Sequence, residues 1–288
     1  MIDLDYNRVL TIQDISCFGQ CSSTVALPII SACGSECAII PSAVLSTHTA
    51  GFEGYTFCDL TDEIPKILQH WIDTDIMFDC VYTGYLGSTQ QIKYVAEIMD
   101  NLLVDGGLRI VDPAMADNGQ LYPAFDEKYV EAMKWLCSQA NILIPNITEA
   151  CFLTDTEYKE NYDHDYINQL LSDLDQLCGG CIILTGVSFR EGYTGVMIYE
   201  SGIFSYYEHE FVGEGCHGTG DVYASAFVGA MMRGVGAVNA ACVAADFTVN
   251  CIKGTIDDED HWYGVKFEPQ LAGLIETLKE GEEGSEEE

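Results

Sequence analysis

Apolar and polar positions along the chain fall into two alternating rhythms. Short apolar runs bounded by Gly, Ser, Asp or Asn predict strands at residues 8–13, 37–45, 80–83, 108–111, 142–144 and 181–185, and a hairpin at 193–199 and 203–207. Between them, apolar residues spaced three and four apart predict helices at 24–33, 89–103, 127–140, 166–177, 222–233, 237–253 and 269–278. Such alternation implies an α/β fold, a mostly parallel central sheet with helices on both faces in a three-layer α-β-α sandwich. No repeat, Pro-rich linker or break in composition divides residues 1–279, which are expected to form a single domain.

Ligands of open parallel sheets bind at the carboxyl ends of the strands, and that is where the polar residues of this chain collect. Asp14 and Ser16 follow the first strand, and Ser46, Thr47, His48 and Thr49 the second. Thr83, Gly84 and Tyr85 follow the third, then come Asp112 and Asp117, then Asn146 and Glu149, and finally Thr185 and Gly186. If the sheet is parallel, all of them face one rim.

Gly218-Thr219-Gly220-Asp221 opens an apolar, small-residue helix. Glycines let the backbone approach an anion closely, and the first N–H groups of a helix point at it with a favourable dipole. An Asp at that start is expected to stay ionised at neutral pH and to accept a proton from a hydroxyl beside a bound phosphate. The chemistry implied is phosphoryl transfer. A glycine turn with Asp as an ordinary helix cap accounts for the same four residues.

Charge narrows the choice of ligands. The 288 residues carry a net charge of −34, which opposes nucleic acid and anionic membrane surfaces as partners. A polyphosphate then needs local attraction from a divalent cation and from helix N-termini. With 48% hydrophobic residues the chain can bury a large core, and no apolar stretch approaches the ~18 residues of a membrane span. No signal segment is visible at the N-terminus, and 13 Cys scattered through apolar segments suit a reducing, cytoplasmic setting. Residues 280–288, a Gly/Ser/Glu run, are expected to be a disordered acidic tail.

Two further segments offer oxygen ligands. Asp112-Pro-Ala-Met-Ala-Asp117 carries two carboxylates, and Pro145-Asn-Ile-Thr-Glu149 places a carboxamide and a carboxylate about a helix start. They suit Mg²⁺, which keeps waters and touches substrate phosphates. Equally, Asp117 and Asn118 with Gly119 build a turn, and Asn146 with Glu149 a capping box.

These segments, with Asp14 to Ser23, Leu45-Ser-Thr-His-Thr49, Thr83-Gly-Tyr-Leu-Gly87, Leu184-Thr-Gly186 and Gly218-Thr-Gly-Asp221, resemble the pyridoxal (pyridoxamine/pyridoxine) kinases of the ribokinase-like superfamily from about Arg8 to Lys279. The resemblance implies ATP-dependent phosphorylation of the 5′-hydroxymethyl of a B6 vitamer, with Asp221 as catalytic base and Gly218, Thr219 and Gly220 as an anion hole. It implies that Asp112 and Glu149 organise Mg²⁺ and the ATP phosphates. Asn146 and Thr148 lie near them, Thr185 and Gly186 line the nucleotide channel, and His48, Thr49 and Tyr85 surround the ring. A monovalent cation such as K⁺ and a homodimer belong to the same expectation. Many B6 kinases carry Ser where this chain has Asp14, so the ring meets either this carboxylate or Ser16, and a carboxylate there would favour pyridoxamine. A hydroxymethylpyrimidine kinase, or a protein that binds B6 or nucleotide without turnover, remains an alternative. Cys178 and Cys181 form a CxxC with no second pair at zinc spacing, the adjacent Cys216 and His217 are poorly placed to act as nucleophile and base, and His70, His164, His209 and His261 show no partner pattern.

Overall fold

The computed structural model describes residues 6–213 and 217–285. Residues 214–216, Cys216 among them, and residues 286–288, expected to belong to the acidic tail, lie outside the described residues. The chain begins with β1 (Arg8–Ser16), α1 (Ser23–Ala32), β2 (Glu36–Leu45), β3 (Phe57–Asp59), α2 (Ile64–Asp73), β4 (Phe78–Thr83), α3 (Thr89–Leu102) and β5 (Leu103–Val111). A short hairpin, β6 (Ala116–Asp117) and β7 (Gln120–Leu121), precedes α4 (Glu127–Cys137), β8 (Ile142–Leu143), α5 (Ile147–Thr154), α6 (His164–Cys178) and β9 (Cys181–Val187). The hairpin β10 (Tyr193–Glu200) and β11 (Ile203–Glu210) then leads to α7 (Thr219–Met232), α8 (Ala237–Lys253) and α9 (Leu271–Ser285).

Among the described residues the main sheet runs in the order β11-β10-β9-β8-β5-β4-β1-β2-β3. The five pairings from β9 through β8, β5, β4 and β1 to β2 are parallel, and β10, β11 and β3 join antiparallel at the two edges. Successive side chains of a strand point to opposite faces, so each central strand serves two cores. Leu10, Val81, Val111 and Leu143 pack with α2 to α6 on one face. Val9, Cys80, Tyr82, Ile110 and Ile142 pack with α1, α7, α8 and α9 on the other. The predicted three-layer, mostly parallel sandwich is therefore the observed fold.

Tertiary pairing adds what local pattern left out. β3 is exposed along its whole length and exists through its register with β2, Leu45 opposite Phe57. The helix α2 does carry a readable signal, with Ile64, Ile67, Leu68 and Trp71 on one face and Pro65 in the first turn. At the C-terminus, α9 continues to Ser285, so the acidic run expected to be a tail from Glu280 starts inside a helix; Glu is a good helix former.

Helix α7 is buried from Val222 to Ala230 and crosses α1 closely. Its small residues permit this: a Cβ on Gly229 would lie 2.4 Å from the Cys33 sulfur. Gly229→Ala is expected to lower stability by about 1–3 kcal/mol through overpacking, read as a lower urea midpoint; an unchanged midpoint would reject so close a crossing.

Candidate active site

The start of α7 faces the carboxyl ends of β1, β4 and β5. Gly218 sits at φ 74°, and a Cβ there would stand 1.8 Å from the Gln20 carbonyl oxygen, so only glycine fits beneath the loop at 17–22. On Gly220, by contrast, a Cβ would meet nothing within 4 Å. Val222 is the first residue whose N–H bonds back to Gly218, at 3.0 Å. The N–H groups of Thr219, Gly220 and Asp221 precede that bond, which is the arrangement that binds anions at helix starts.

Asp221, on the first turn of α7, is partly buried, and its Oδ2 accepts the Ser22 N–H at 2.9 Å. Burial pushes its carboxyl up to about 6, opposed by the Ser22 bond and aided by the negative charge of Asp14. The helix dipole alone predicts an acid that stays ionised at neutral pH. Removal from water outweighs the dipole, although a value near 6 still leaves the carboxylate mostly ionised at pH 7.

Asp14 and Ser16 also reach this rim. The register of β1 against β2 shifts between Gln13 and Ile15, and irregularities of this kind re-aim side chains at sheet rims. Asp14 is buried, with Oδ1 accepting the Ser22 hydroxyl at 2.6 Å and Oδ2 the Ser16 hydroxyl at 2.9 Å. Its carboxyl is raised, by burial first, in spite of these two donors. Ser16 is thus committed to Asp14.

Across the rim, both readings of Pro145 to Glu149 meet in one structure. Asn146 and Glu149 make a complete capping box on α5. The same side chains hold the β6–β7 hairpin: Glu149 Oε1 accepts the Met115 N–H at 2.9 Å, Asn146 Nδ2 donates to the Ala116 carbonyl at 2.8 Å, and Thr148 Oγ1 accepts the Gly119 N–H at 3.0 Å. Asn118 and Gly119 form its tight turn at φ 51° and 75°. Asp112 closes the loop beyond β5, its Oδ1 accepting the Ala114 N–H at 3.1 Å. Burial raises the carboxyls of Asp112 and Glu149 together; the charges of Glu149 and Asp221 push Asp112 further up, while three backbone N–H groups hold Glu149 back.

That repulsion is what a divalent cation would relieve. Among the described residues no hydrogen bond reaches Asp112 Oδ2, while both Glu149 oxygens accept backbone N–H groups. No group of three or more His, Cys, Asp or Glu among the described residues has metal-binding geometry. With no hydrogen bond at Oδ2 among the described residues, Asp112 suits Mg²⁺, an ion that takes one or two protein carboxylates and keeps its other positions for water and phosphate.

Around His48 the rim is aromatic, with the Phe52 ring 4.9 Å from the imidazole. His48 is buried, its Nε2 bonding the Tyr263 carbonyl at 2.8 Å and its Nδ1 accepting the Ala50 N–H at 3.2 Å, so both nitrogens are engaged by the protein. A Cβ on Gly19 would stand 2.2 Å from this ring; His48 thus props the loop at 17–22. Thr49 is exposed, and Tyr85 is half-buried, 5.4 Å from the Phe125 ring. Thr185 bonds the Pro145 carbonyl through its N–H at 2.9 Å, and the Gly186 carbonyl accepts from Tyr162 at 3.5 Å. Sequence reasoning passed over Ser22, over Tyr122, whose phenol is raised by burial and by Glu149, Asp117, Asp112 and Asp221, and over His217, whose ring lies 5.7 Å from that of His48. Ser22 lies within the quoted segment Asp14 to Ser23, but its residue type names no partner, and Tyr122 belongs to no motif.

A ribokinase-like fold with an acid at a glycine-rich helix start and carboxylates across the rim defines a small-molecule kinase. The chain belongs to the phosphomethylpyrimidine kinase family, whose model matches residues 27–265. It is 33% identical to a Bacteroides thetaiotaomicron protein provisionally named a phosphomethylpyrimidine kinase, with a TM-score of 0.89 over 93% of each chain, and another crystal form of that protein contains pyridoxal. A pyridoxal kinase from Lactobacillus plantarum is 28% identical, with a TM-score of 0.88 over 95% of this chain and 98% of that one. A hydroxymethylpyrimidine/phosphomethylpyrimidine kinase from Bacillus subtilis (strain 168) is 25% identical over 217 residues, 75% of this chain and 78% of its own.

The raised Asp221 carboxyl links stability to pH. Its folded value, about 6, exceeds the ~3.9 of an unfolded Asp, so the stability it confers when neutral is complete below about pH 4 and is lost as pH rises through about 6. Asp221→Asn is therefore expected to have a higher Tm than wild type at pH 7.5, with the gap narrowing by pH 4.5. A gap independent of pH in thermal denaturation would remove the assignment of a desolvated carboxylate.

Proposed function

We propose that this kinase transfers the γ-phosphoryl group of ATP to the 5′-hydroxymethyl of pyridoxal, pyridoxamine or pyridoxine, a B6 salvage reaction. The observation that carries the reading is Asp221, raised toward neutrality and held by Ser22 beside the free N–H groups of α7. Likeness to the pyridoxal-containing structure and to a pyridoxal kinase supports the choice of ring.

In this reading Asp221 accepts a hydrogen bond from the substrate hydroxyl and orients it toward the phosphoryl group. An alkoxide is far more basic than a carboxylate, so the proton moves late, and catalysis rests on positioning and charge neutralisation. The N–H groups of Thr219, Gly220 and Asp221 take the equatorial oxygens. Asp112 and Glu149 would hold Mg²⁺, which when bound would supply charge neutralisation at the phosphates. Asn146 and Thr148 act by holding the β6–β7 hairpin over the phosphates, and Thr185 and Gly186 border the nucleotide. Tyr85 and the aromatic rings about His48 enclose the vitamin. A homodimer and a cytoplasmic setting belong to the same proposal; among the described residues no helix is long and apolar enough to cross a membrane, and the cysteines are free thiols.

Hydroxymethylpyrimidine is the second reading, favoured by the family match and the Bacillus relative. ADP formation with each B6 alcohol and with hydroxymethylpyrimidine, with and without Mg²⁺, separates the two. Turnover of pyridoxal, pyridoxamine or pyridoxine is expected; turnover of the pyrimidine alone would replace this reading, and none at all would leave a binding protein. Asp221→Asn is expected to lose roughly two to four decades of kcat while still binding the vitamin, and the acid limb of kcat/KM should lie at about 6 in wild type. Near-normal turnover in the variant would dismiss the mechanism.

Asp14 bears on the choice among vitamers. A buried carboxylate near the ring favours a cationic partner such as an aminomethyl group or a protonated pyridine nitrogen. Asp14→Ser should lower kcat/KM for pyridoxamine relative to pyridoxal and pyridoxine, by about tenfold for one lost charge-assisted bond; unchanged ratios would reject this role.

A further inference from the structure

Ser22 lies at φ 54°, ψ −134°, in backbone space that glycine alone enters without cost. A serine persists there only where its surroundings over-determine it. It is buried, and each of its polar groups is committed. Its N–H donates to Asp221 Oδ2 at 2.9 Å, its hydroxyl donates to Asp14 Oδ1 at 2.6 Å, and its carbonyl accepts the Val25 and Ala26 N–H groups at 3.0 and 2.9 Å.

The start of α1 does not by itself explain this. A serine before a helix ordinarily turns its hydroxyl onto the N–H of the second or third helical residue, and Ser22 makes no such cap bond. The hydroxyl is turned to Asp14 instead. The strained φ also aims the N–H away from α1 toward α7, where it meets the acid. Two carboxylates from elements 207 positions apart in the chain, ~200 residues being a long loop to close by chance contact, are thus fixed relative to each other through one residue.

We infer that Ser22 is the positioning residue of this site, its N–H holding Asp221 in the orientation that meets the substrate hydroxyl and its side chain holding Asp14 against the ring. The inference rests on the kinase reading above. Pinning Oδ2 leaves Asp221 Oδ1, which no hydrogen bond reaches among the described residues, to face the hydroxyl. The same residue joins the loop at 17–22, which covers Gly218 through Gln20, to the acid beneath it.

Two substitutions separate the two functions. Ser22→Ala keeps the N–H and the confined backbone but removes the hydroxyl; KM for the vitamin should rise about tenfold, the size of one hydrogen bond to a charged group. In an Asp14→Asn background that rise should shrink below about twofold, since the partner charge is gone. Ser22→Gly admits the same φ and ψ without enforcing them, and should lower kcat about tenfold below that of Ser22→Ala, while its Tm exceeds that of Ser22→Ala by about 3 °C from relieved strain. Activity falling as stability rises is a signature that a merely structural role would not produce. Equal kcat in the Gly and Ala variants, or an undiminished KM effect in the Asp14→Asn background, would overturn the inference. Wild type inactive on every B6 alcohol and on hydroxymethylpyrimidine would instead bring down the kinase reading and this inference with it, a failure visible before any variant is made.

Discussion

Asp14, Asp112, Glu149 and Asp221 share the carboxyl-end rim of the sheet, and among the described residues no ion pair involves any of them. Burial raises each of the four carboxyls, and neighbouring negative charge adds to it at Asp112, Glu149 and Asp221. Much of the local architecture serves to hold that charge with neutral donors: serine hydroxyls on Asp14, backbone N–H groups on Glu149 and Asp221, and one N–H on Asp112. Under the proposed function, an incoming cation and the α7 N-terminus would supply the local attraction that a polyphosphate needs in so negative a molecule. The net charge of −34 and a phosphate site are compatible for that reason.

The Pro145 to Glu149 segment shows how a structural and a functional account of the same residues can both hold. Asn146 and Glu149 cap α5 in the reciprocal way that their spacing announces, and Thr148 adds a third anchor. The residue types are fixed by the hairpin at β6–β7 as much as by the helix, since an Ala at any of the three positions would release a backbone group of residues 115–119. His48 is similar. The resemblance puts it beside the substrate ring, yet both nitrogens are spent on the backbone of Ala50 and Tyr263, and its ring packs against Gly19 in the loop at 17–22.

Local pattern located the strands that carry the site because they are buried on both faces and end at polar residues. The hairpin turn at Asn118-Gly119 and the capping box were equally legible, being short-range chemistry. The edge strand β3 was not, because pairing with β2 rather than its own residues makes it a strand. The raised carboxyl of Asp221 was not legible for a related reason: a helix dipole is visible in a sequence, whereas burial beneath the loop at 17–22 depends on chain segments some two hundred residues away.

What the amino-acid order determined alone was the βαβ alternation, the placing of acids and small residues at strand ends, and the glycine pair before Asp221. These follow from periodicity and turn chemistry, which act over a few residues. Only the folded chain decided that Ser22 would take a glycine's backbone angles, that Asp14 and Asp221 would meet at that residue, and that desolvation would outweigh the dipole of α7. Contacts and burial are properties of the packed layers, and no window of the sequence contains them.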